Sequence, residues 1–178
     1  MESDDFNVFC DVLIIGSGIA GLSLAIKTAK FAKVAVITKN KVTDCATRLA
    51  QAGIAAVLSP KDSIIQHIKD TITVGDGLCH PNVVRQIVSA APERIKELAR
   101  WGVDFSKNEN EFDLGLEAGH TFRRIVHARD ITGAEIHRAL VSQILKKENI
   151  KLYENHIAIN LKIRAGKCLG AYVLDKEK

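Results

Sequence analysis

The chain has 178 residues, 47% of them apolar and 26% charged, with a net charge of +4; this is the composition of an ordinary soluble globular protein, long enough for one domain with a sizeable core. No basic stretch interleaves with aromatics, which leaves nucleic-acid binding without support, and no apolar run is long enough to span a bilayer. The acidic start Met1-Glu2-Ser3-Asp4-Asp5 lacks the basic segment and apolar core of a signal peptide. The four cysteines, Cys10, Cys45, Cys79 and Cys168, are widely spaced and form no CxxC pair, so free thiols in a cytoplasmic protein are expected, and no metal site.

The first element is the apolar run Val12-Leu13-Ile14-Ile15, a buried strand. A glycine turn follows, and then Ile19, Leu22, Ile26 and Ala29 recur at helical spacing. Val34-Ala35-Val36-Ile37 reads as a second buried strand, closing a βαβ unit. Residues 40–53 are small and polar. Ser63 with Gln66 predicts a capping box, ahead of a helix with Ile64, Ile68 and Ile72 on its apolar face and Gly75-Asp76-Gly77 at its end. Another helix starts after Pro81, with Val84, Ile87, Val88 and Ala91 on one side; Pro92 is expected to break or kink it. Ile95, Leu98 and Ala99 continue on a new helix to Gly102, with Glu93, Arg94, Lys96, Glu97 and Arg100 as a solvated face. Residues 103–131 lack helical periodicity and hold a dense charge cluster, the pattern of a functional loop. Thr132 and Glu135 predict a second capping box, opening a helix that buries Ile136, Leu140, Val141 and Ile144. Lys151-Leu152-Tyr153 is a short strand, and 157–163 with 168–174 form a hairpin around Gly166.

The chemistry starts at Gly16-Ser17-Gly18-Ile19-Ala20-Gly21, a GxGxxG between strand and helix. Gly16 permits the tight turn, Gly18 lets the backbone approach a pyrophosphate, and Gly21 lets the helix pack on the strand. The anion then meets the free N–H groups and positive dipole end of the helix. An acidic residue normally closes the second strand to bind a ribose, but Thr38-Lys39 stands there. A plain NAD site is therefore not expected; Lys39 could meet a 2′-phosphate or be a surface cation.

Two longer segments narrow the choice. Thr38-Lys39, Val42-Thr43 and the run from Thr47 to Val57 resemble the FAD-binding segment of the succinate dehydrogenase/fumarate reductase flavoprotein superfamily. The stretch from Glu117-Ala118-Gly119-His120 through Arg124-Ile125 and His127-Ala128 to Thr132-Gly133 is similar to the signature of the L-aspartate oxidase family within it. The resemblance covers nearly the whole chain. It implies an α/β fold: a Rossmann-like FAD-binding domain of the glutathione-reductase-type βαβ class, incomplete at the C-terminus. It implies FAD-dependent oxidation of L-aspartate to iminoaspartate, with oxygen or fumarate as acceptor, in quinolinate and NAD synthesis; quinolinate synthase is the implied protein partner.

The resemblance also assigns residues. Gly16 to Gly21 would carry the pyrophosphate, Lys39 lies on the adenosine side, and Ala158 is where backbone meets adenine. Ala46, Thr47, Arg48, Leu49, Ala50, Gln51, Ala52 and Gly53 would run past the flavin. Superfamily members with covalent FAD carry a histidine where Ala46 stands, so non-covalent FAD is implied. Glu117 is the implied catalytic-site residue, orienting substrate through its ammonium group; the simpler alternative is an ion pair with Arg123 or Arg124, worth little in solvent. His120 and His127 either meet flavin or substrate or fix the loop, the latter being favoured for His127. His67, His80, His137 and His156 read as surface or helix-face residues.

Family glycines are replaced by Ala52 and Ala118, and if either position needs positive φ the change costs about 1 kcal/mol. Family members are several hundred residues long. Residues 1–178 are thus expected to be the N-terminal part of the FAD-binding domain, with the capping and C-terminal helical domains absent and catalysis lost. Two alternatives remain: a fumarate reductase or succinate dehydrogenase-like flavoprotein, and a non-catalytic FAD-binding remnant.

Overall fold

The computed structural model describes residues 7–177, so the acidic start lies outside the described residues. The elements in chain order are β1 (Val12–Ile15), α1 (Ile19–Thr28), β2 (Val34–Ile37), α2 (Ala46–Leu49), β3 (Ile54–Ala55), α3 (Ile64–Val74), α4 (Pro81–Arg100), β4 (Lys107–Asn108), β5 (Glu111–Phe112), β6 (Leu114–Gly115), β7 (Ile125–Val126), α5 (Thr132–Leu145), β8 (Ile150–Tyr153), β9 (His156–Arg164) and β10 (Lys167–Asp175). They fall into two compact units, one made of the residues up to 48 with those from 140 onward, the other of Leu49–Ala139.

The first unit is built on a parallel sheet in the order β1-β2-β8, with Val34 paired to both Val12 and Ile150 and Ile37 to both Ile15 and Tyr153. All four residues of β2 are buried, as a central parallel strand covered on both faces requires. Helix α1 buries Leu22, Ala25 and Ile26, the face that the sequence periodicity marks. Strands β9 and β10 form an antiparallel hairpin. Its two loop residues, Ala165 (φ +50°) and Gly166 (φ +72°), both have positive φ, the conformation of a type I′ turn whose twist matches the flanking strands.

In the second unit, β3, β7 and β6 make a small antiparallel sheet and β4 pairs with β5. These short strands lie largely within the stretch that the sequence marks as a loop. Helix α4 also departs from expectation: it is continuous through Pro92. An interior proline costs about 3 kcal/mol. The two halves share one stripe that buries Val88, Ile95 and Leu98, and each such side chain contributes about 1.5–3 kcal/mol, which outweighs the proline. Ile87, expected on the buried side, is exposed, whereas Arg94–Glu97 and Arg100–Glu93 ion pairs populate the solvated face as expected.

Neither capping box forms in full. At α3 the Ser63 hydroxyl accepts the Gln66 N–H at 3.1 Å. The return bond is missing because Asp62 accepts the Ser63 N–H at 2.7 Å, and the Gln66 side chain reaches Asp70 instead. At α5 the Thr132 hydroxyl accepts the Ala128 N–H at 3.0 Å from inside the helix. Glu135 is drawn away by Arg138 at 2.7 Å and by the Asp104 N–H at 2.8 Å. The buried residues of α3 are His67 and Asp70, while Ile64, Ile68 and Ile72 are only half-buried; a polar cluster, not the isoleucine stripe, occupies its inner face.

Candidate functional site

The glycine turn joins β1 to α1 inside the first unit. Gly16 has φ +112°, a conformation that L side chains rarely adopt, and its N–H donates to the Ile37 carbonyl at 2.8 Å. A Cβ on Gly21 would lie 2.2 Å from the Gly16 carbonyl oxygen, so close packing of helix on turn demands glycine there. Gly18 is different. Its φ of −75° suits any residue, and a Cβ would meet nothing nearer than the Thr47 hydroxyl at 3.4 Å. Neither strain nor packing demands glycine there.

The Thr47 hydroxyl accepts the Ile19 N–H at 3.0 Å, which ties α2 to the first turn of α1. Ser17 is buried; its hydroxyl donates to the Val42 carbonyl and bonds the Thr38 hydroxyl, both at 3.1 Å. Ala20 and Lys39 are exposed, and the Lys39 carbonyl accepts from the Lys176 ammonium at 3.1 Å. Ala158 is half-buried on β9, in register with Val173. Ala46 and Arg48 are exposed, Thr47 half-buried.

In the second unit Leu49, Ala50, Gln51 and Ala52 are exposed and Gly53 is half-buried. The Gly133 N–H donates to the Ala50 carbonyl at 2.9 Å. A Cβ at Gly53 would lie 2.3 Å from the Val126 carbonyl oxygen, so β3 approaches β7 only with glycine there. Among the described residues the non-glycine residues with positive φ are Asp76, Glu109, Arg129, Asn155 and Ala165. Ala52 and Ala118 are not among them, so neither alanine introduces backbone strain.

Glu117 opens a tight turn closed by the His120 N–H on the Glu117 carbonyl at 3.2 Å. Gly119 stands at its third position with φ +83°, where a type II turn needs glycine. Among the described residues no ion pair includes Glu117, which is exposed. The expected alternative fails on both arginines: Arg123 bonds the Leu114 carbonyl at 3.4 Å, and Arg124 is wholly buried among other partners.

Those partners form a cluster that sequence reasoning missed. Arg124 donates through Nε and Nη2 to the two oxygens of Asp62, each at 2.9 Å, and through Nη1 to Asp70 at 2.9 Å. Burial pushes the Asp70 carboxyl up, but hydrogen bonds from the Thr121 N–H and hydroxyl, Gln66 and Arg124 outweigh it and hold the carboxyl well below the usual carboxylate range. His67, expected at the surface, is 5% exposed. Its Nδ1 and that of His120 are buried without a partner, and the two rings pack edge to face at 5.8 Å. Burial, then the charge on Arg124, lowers the His67 pKa. His137 is buried as well. His127 Nε2 lies 3.5 Å from an Asp113 carboxylate oxygen. The sequence hint for the cluster is slight: Arg124 directly precedes Ile125-Val126, an apolar pair in a charged stretch.

The profile described as "FAD binding domain" matches residues 11–178. The chain belongs to the FAD-binding domain family. FAD is thus its cofactor, and the open space at Gly18 fits that assignment. As an FAD-binding domain it is 47% identical over 154 residues to the chloroplastic L-aspartate oxidase 2-b of Nicotiana tabacum, covering 86% of this chain and 24% of the relative. It is 40% identical over 166 residues to the L-aspartate oxidase of Neisseria meningitidis, covering 93% and 33%. Among solved structures it resembles a point variant of the E. coli quinol fumarate reductase FrdA, with TM-score 0.88 and 29% identity over 93% of this chain and 29% of that one. Sdh1 of Mycobacterium smegmatis gives TM-score 0.85 and 30% identity, over 92% and 30%. The chain spans about a quarter to a third of the length of the curated relatives it matches.

Proposed function

We propose that this FAD-binding domain serves an L-aspartate oxidase, oxidising L-aspartate to iminoaspartate with oxygen or fumarate as acceptor. FAD, when bound, supplies the hydride acceptor. The turn from Gly16 to Gly21 would hold its pyrophosphate, Lys39 and Ala158 its adenosine side, and residues 46–53 its flavin side; Ala46 leaves no side chain for a covalent link, so the flavin would be released by acid. Residues 1–178 would be the N-terminal part of that domain. The reading implies quinolinate synthase as the consumer of the product and a cytoplasmic setting, which the free Cys10, Cys45, Cys79 and Cys168 support. Among the described residues no helix is long and apolar enough to cross a membrane.

The observation that carries this reading is Glu117: an exposed carboxylate on a glycine-dependent turn, with neighbouring arginines committed elsewhere. A free carboxylate attracts an ammonium group and repels a dicarboxylate that lacks one. In the full-length enzyme, Glu117→Gln is expected to lower aspartate oxidation more than fumarate reduction, and equal losses would overturn the role. The second reading, a fumarate reductase-like flavoprotein, is favoured by the structural neighbours; it expects Glu117→Gln to leave fumarate reduction the dominant activity and aspartate turnover absent from the start.

A further inference from the structure

Two carboxylates surround Arg124, and one is enough to neutralise it. Asp62 takes the guanidinium edge with both oxygens, the fork-to-fork geometry that satisfies an arginine best. Asp70 adds a second buried negative charge, which packing alone does not require and which burial penalises. What Asp70 holds explains its presence. Its Oδ2 accepts the Thr121 backbone N–H at 2.9 Å as well as Arg124, and its Oδ1 accepts the Thr121 hydroxyl at 2.8 Å and the Gln66 amide at 2.7 Å. Four donors occupy both oxygens.

Thr121 directly follows the Glu117–His120 turn. On the other side of that turn, the Arg124 N–H donates to the Gly115 carbonyl at 3.0 Å, and the Arg124 carbonyl accepts the Ala56 N–H at 2.9 Å. The turn is thus pinned at Gly115 and at Thr121, with both pins running to the Asp70–Arg124 pair. A third restraint acts from α3, where a Cβ at Gly119 would lie 2.4 Å from Val74.

We propose that Asp70 is a positioning residue: acting through Thr121, it fixes the Glu117–His120 turn and thereby where the Glu117 carboxylate meets the substrate ammonium group. The ammonium part of this inference rests on the proposed function; the fixing of the turn does not. Asp70 touches no substrate in this assignment. Its effect is geometric, and a misplacement of about 1 Å at a reacting group costs about a hundredfold in rate. Asn at 70 keeps the shape but removes the charge and turns one acceptor oxygen into a donor, so the Thr121 hydroxyl and the Gln66 amide must reverse and the charge-assisted bonds to Thr121 and Arg124 weaken.

The test uses the full-length flavoenzyme, with kinetics normalised to bound flavin. Asp70→Asn is expected to lower kcat/KM for aspartate by about tenfold or more, mostly through KM, while fumarate reduction changes by less than about threefold. Thr121→Val guards against a folding failure of Asp70→Asn; it removes the hydroxyl's bonds to Asp70 and from Gln66 but keeps the backbone N–H bond, and should move the same parameters in the same direction by a smaller factor, with Thr121→Ser restoring them. Amide exchange across residues 116–121 should accelerate in both Asp70→Asn and Thr121→Val. A merely structural aspartate would lower the melting temperature and flavin content but leave the aspartate-to-fumarate preference intact, and that result overturns the substrate part. Unchanged exchange across the turn overturns the positioning part. If wild-type enzyme fails to oxidise aspartate, the functional reading falls, and the exchange rates alone decide whether Asp70 holds the turn.

Discussion

At Gly16–Gly21 the backbone is shaped by atoms that are missing: Gly21 has no Cβ because one would sit 2.2 Å from a carbonyl oxygen, and Gly18 has none although packing would allow it. At Glu117–His120 the backbone is shaped mainly by charges that are present, with Arg124, Asp62 and Asp70 buried beneath it. The first turn is specified within six residues. The second depends on partners up to 62 positions apart in sequence. A backbone site is therefore cheap to encode locally, whereas a charge-held turn depends on each distant member being retained.

The sharpest way to break this contrast is Arg124→Leu. It leaves two carboxylates buried without their cation, and the loss should be about 3–5 kcal/mol in denaturant unfolding. Arg124→Lys should recover only part of it, because an ammonium restores the charge but cannot reproduce the fork. A smaller loss for Arg124→Leu would mean that the cluster is hydrated and the turn is not charge-held. Gly21→Ala comes next, at about 1–3 kcal/mol from forced backbone displacement, with flavin content falling alongside stability.

Gly18→Ala separates ligand space from packing. Folding should change by less than about 1 kcal/mol, while the dissociation constant for FAD rises about tenfold, or about 1.4 kcal/mol. Fluorescence titration with FAD measures it, and unaltered affinity would remove the ligand explanation for that glycine. The pH dependence is a finer test. His67 has a lowered pKa in the folded chain, so the unfolded chain takes up its proton first, and stability declines as pH drops below 6.5. Asp70 is depressed, so its contribution persists above 3.8 and is lost only as pH falls further. His67→Asn should flatten the first arm, at most about 1.4 kcal/mol per pH unit, and spare the second. The smallest effect is expected for Ala118→Gly: without positive φ to relieve, the added chain entropy should cost about 0.4–1 kcal/mol, read as a lower melting temperature.

The same contrast explains what could be read in advance. The βαβ unit was legible because β1, α1 and β2 are each defined by local periodicity, and the hairpin because Gly166 punctuates two apolar runs. Pro92 misleads because its penalty is local whereas the gain from burying Val88, Ile95 and Leu98 in one stripe is tertiary. Glu135 and Gln66 match a capping pattern, yet Arg138, Asp104 and Asp70 compete for their side chains. The inner face of α3 reads as isoleucine because hydrophobic spacing carries no sign of a buried arginine arriving from residue 124. The Glu117 turn could be proposed from a resemblance, but its supports could not, since nothing in local spacing links Asp62, Asp70 and Arg124.

The three-way pairing of Asp62, Arg124 and Asp70 also has an evolutionary consequence. Any single step that removes the arginine strands two charges, and removing either acid strands part of the guanidinium. A fully apolar trio of similar volume is often no less stable than a buried ion network, but it lies three simultaneous substitutions away. Each intermediate carries an uncompensated buried charge, so no single substitution leaves the cluster without a loss of stability.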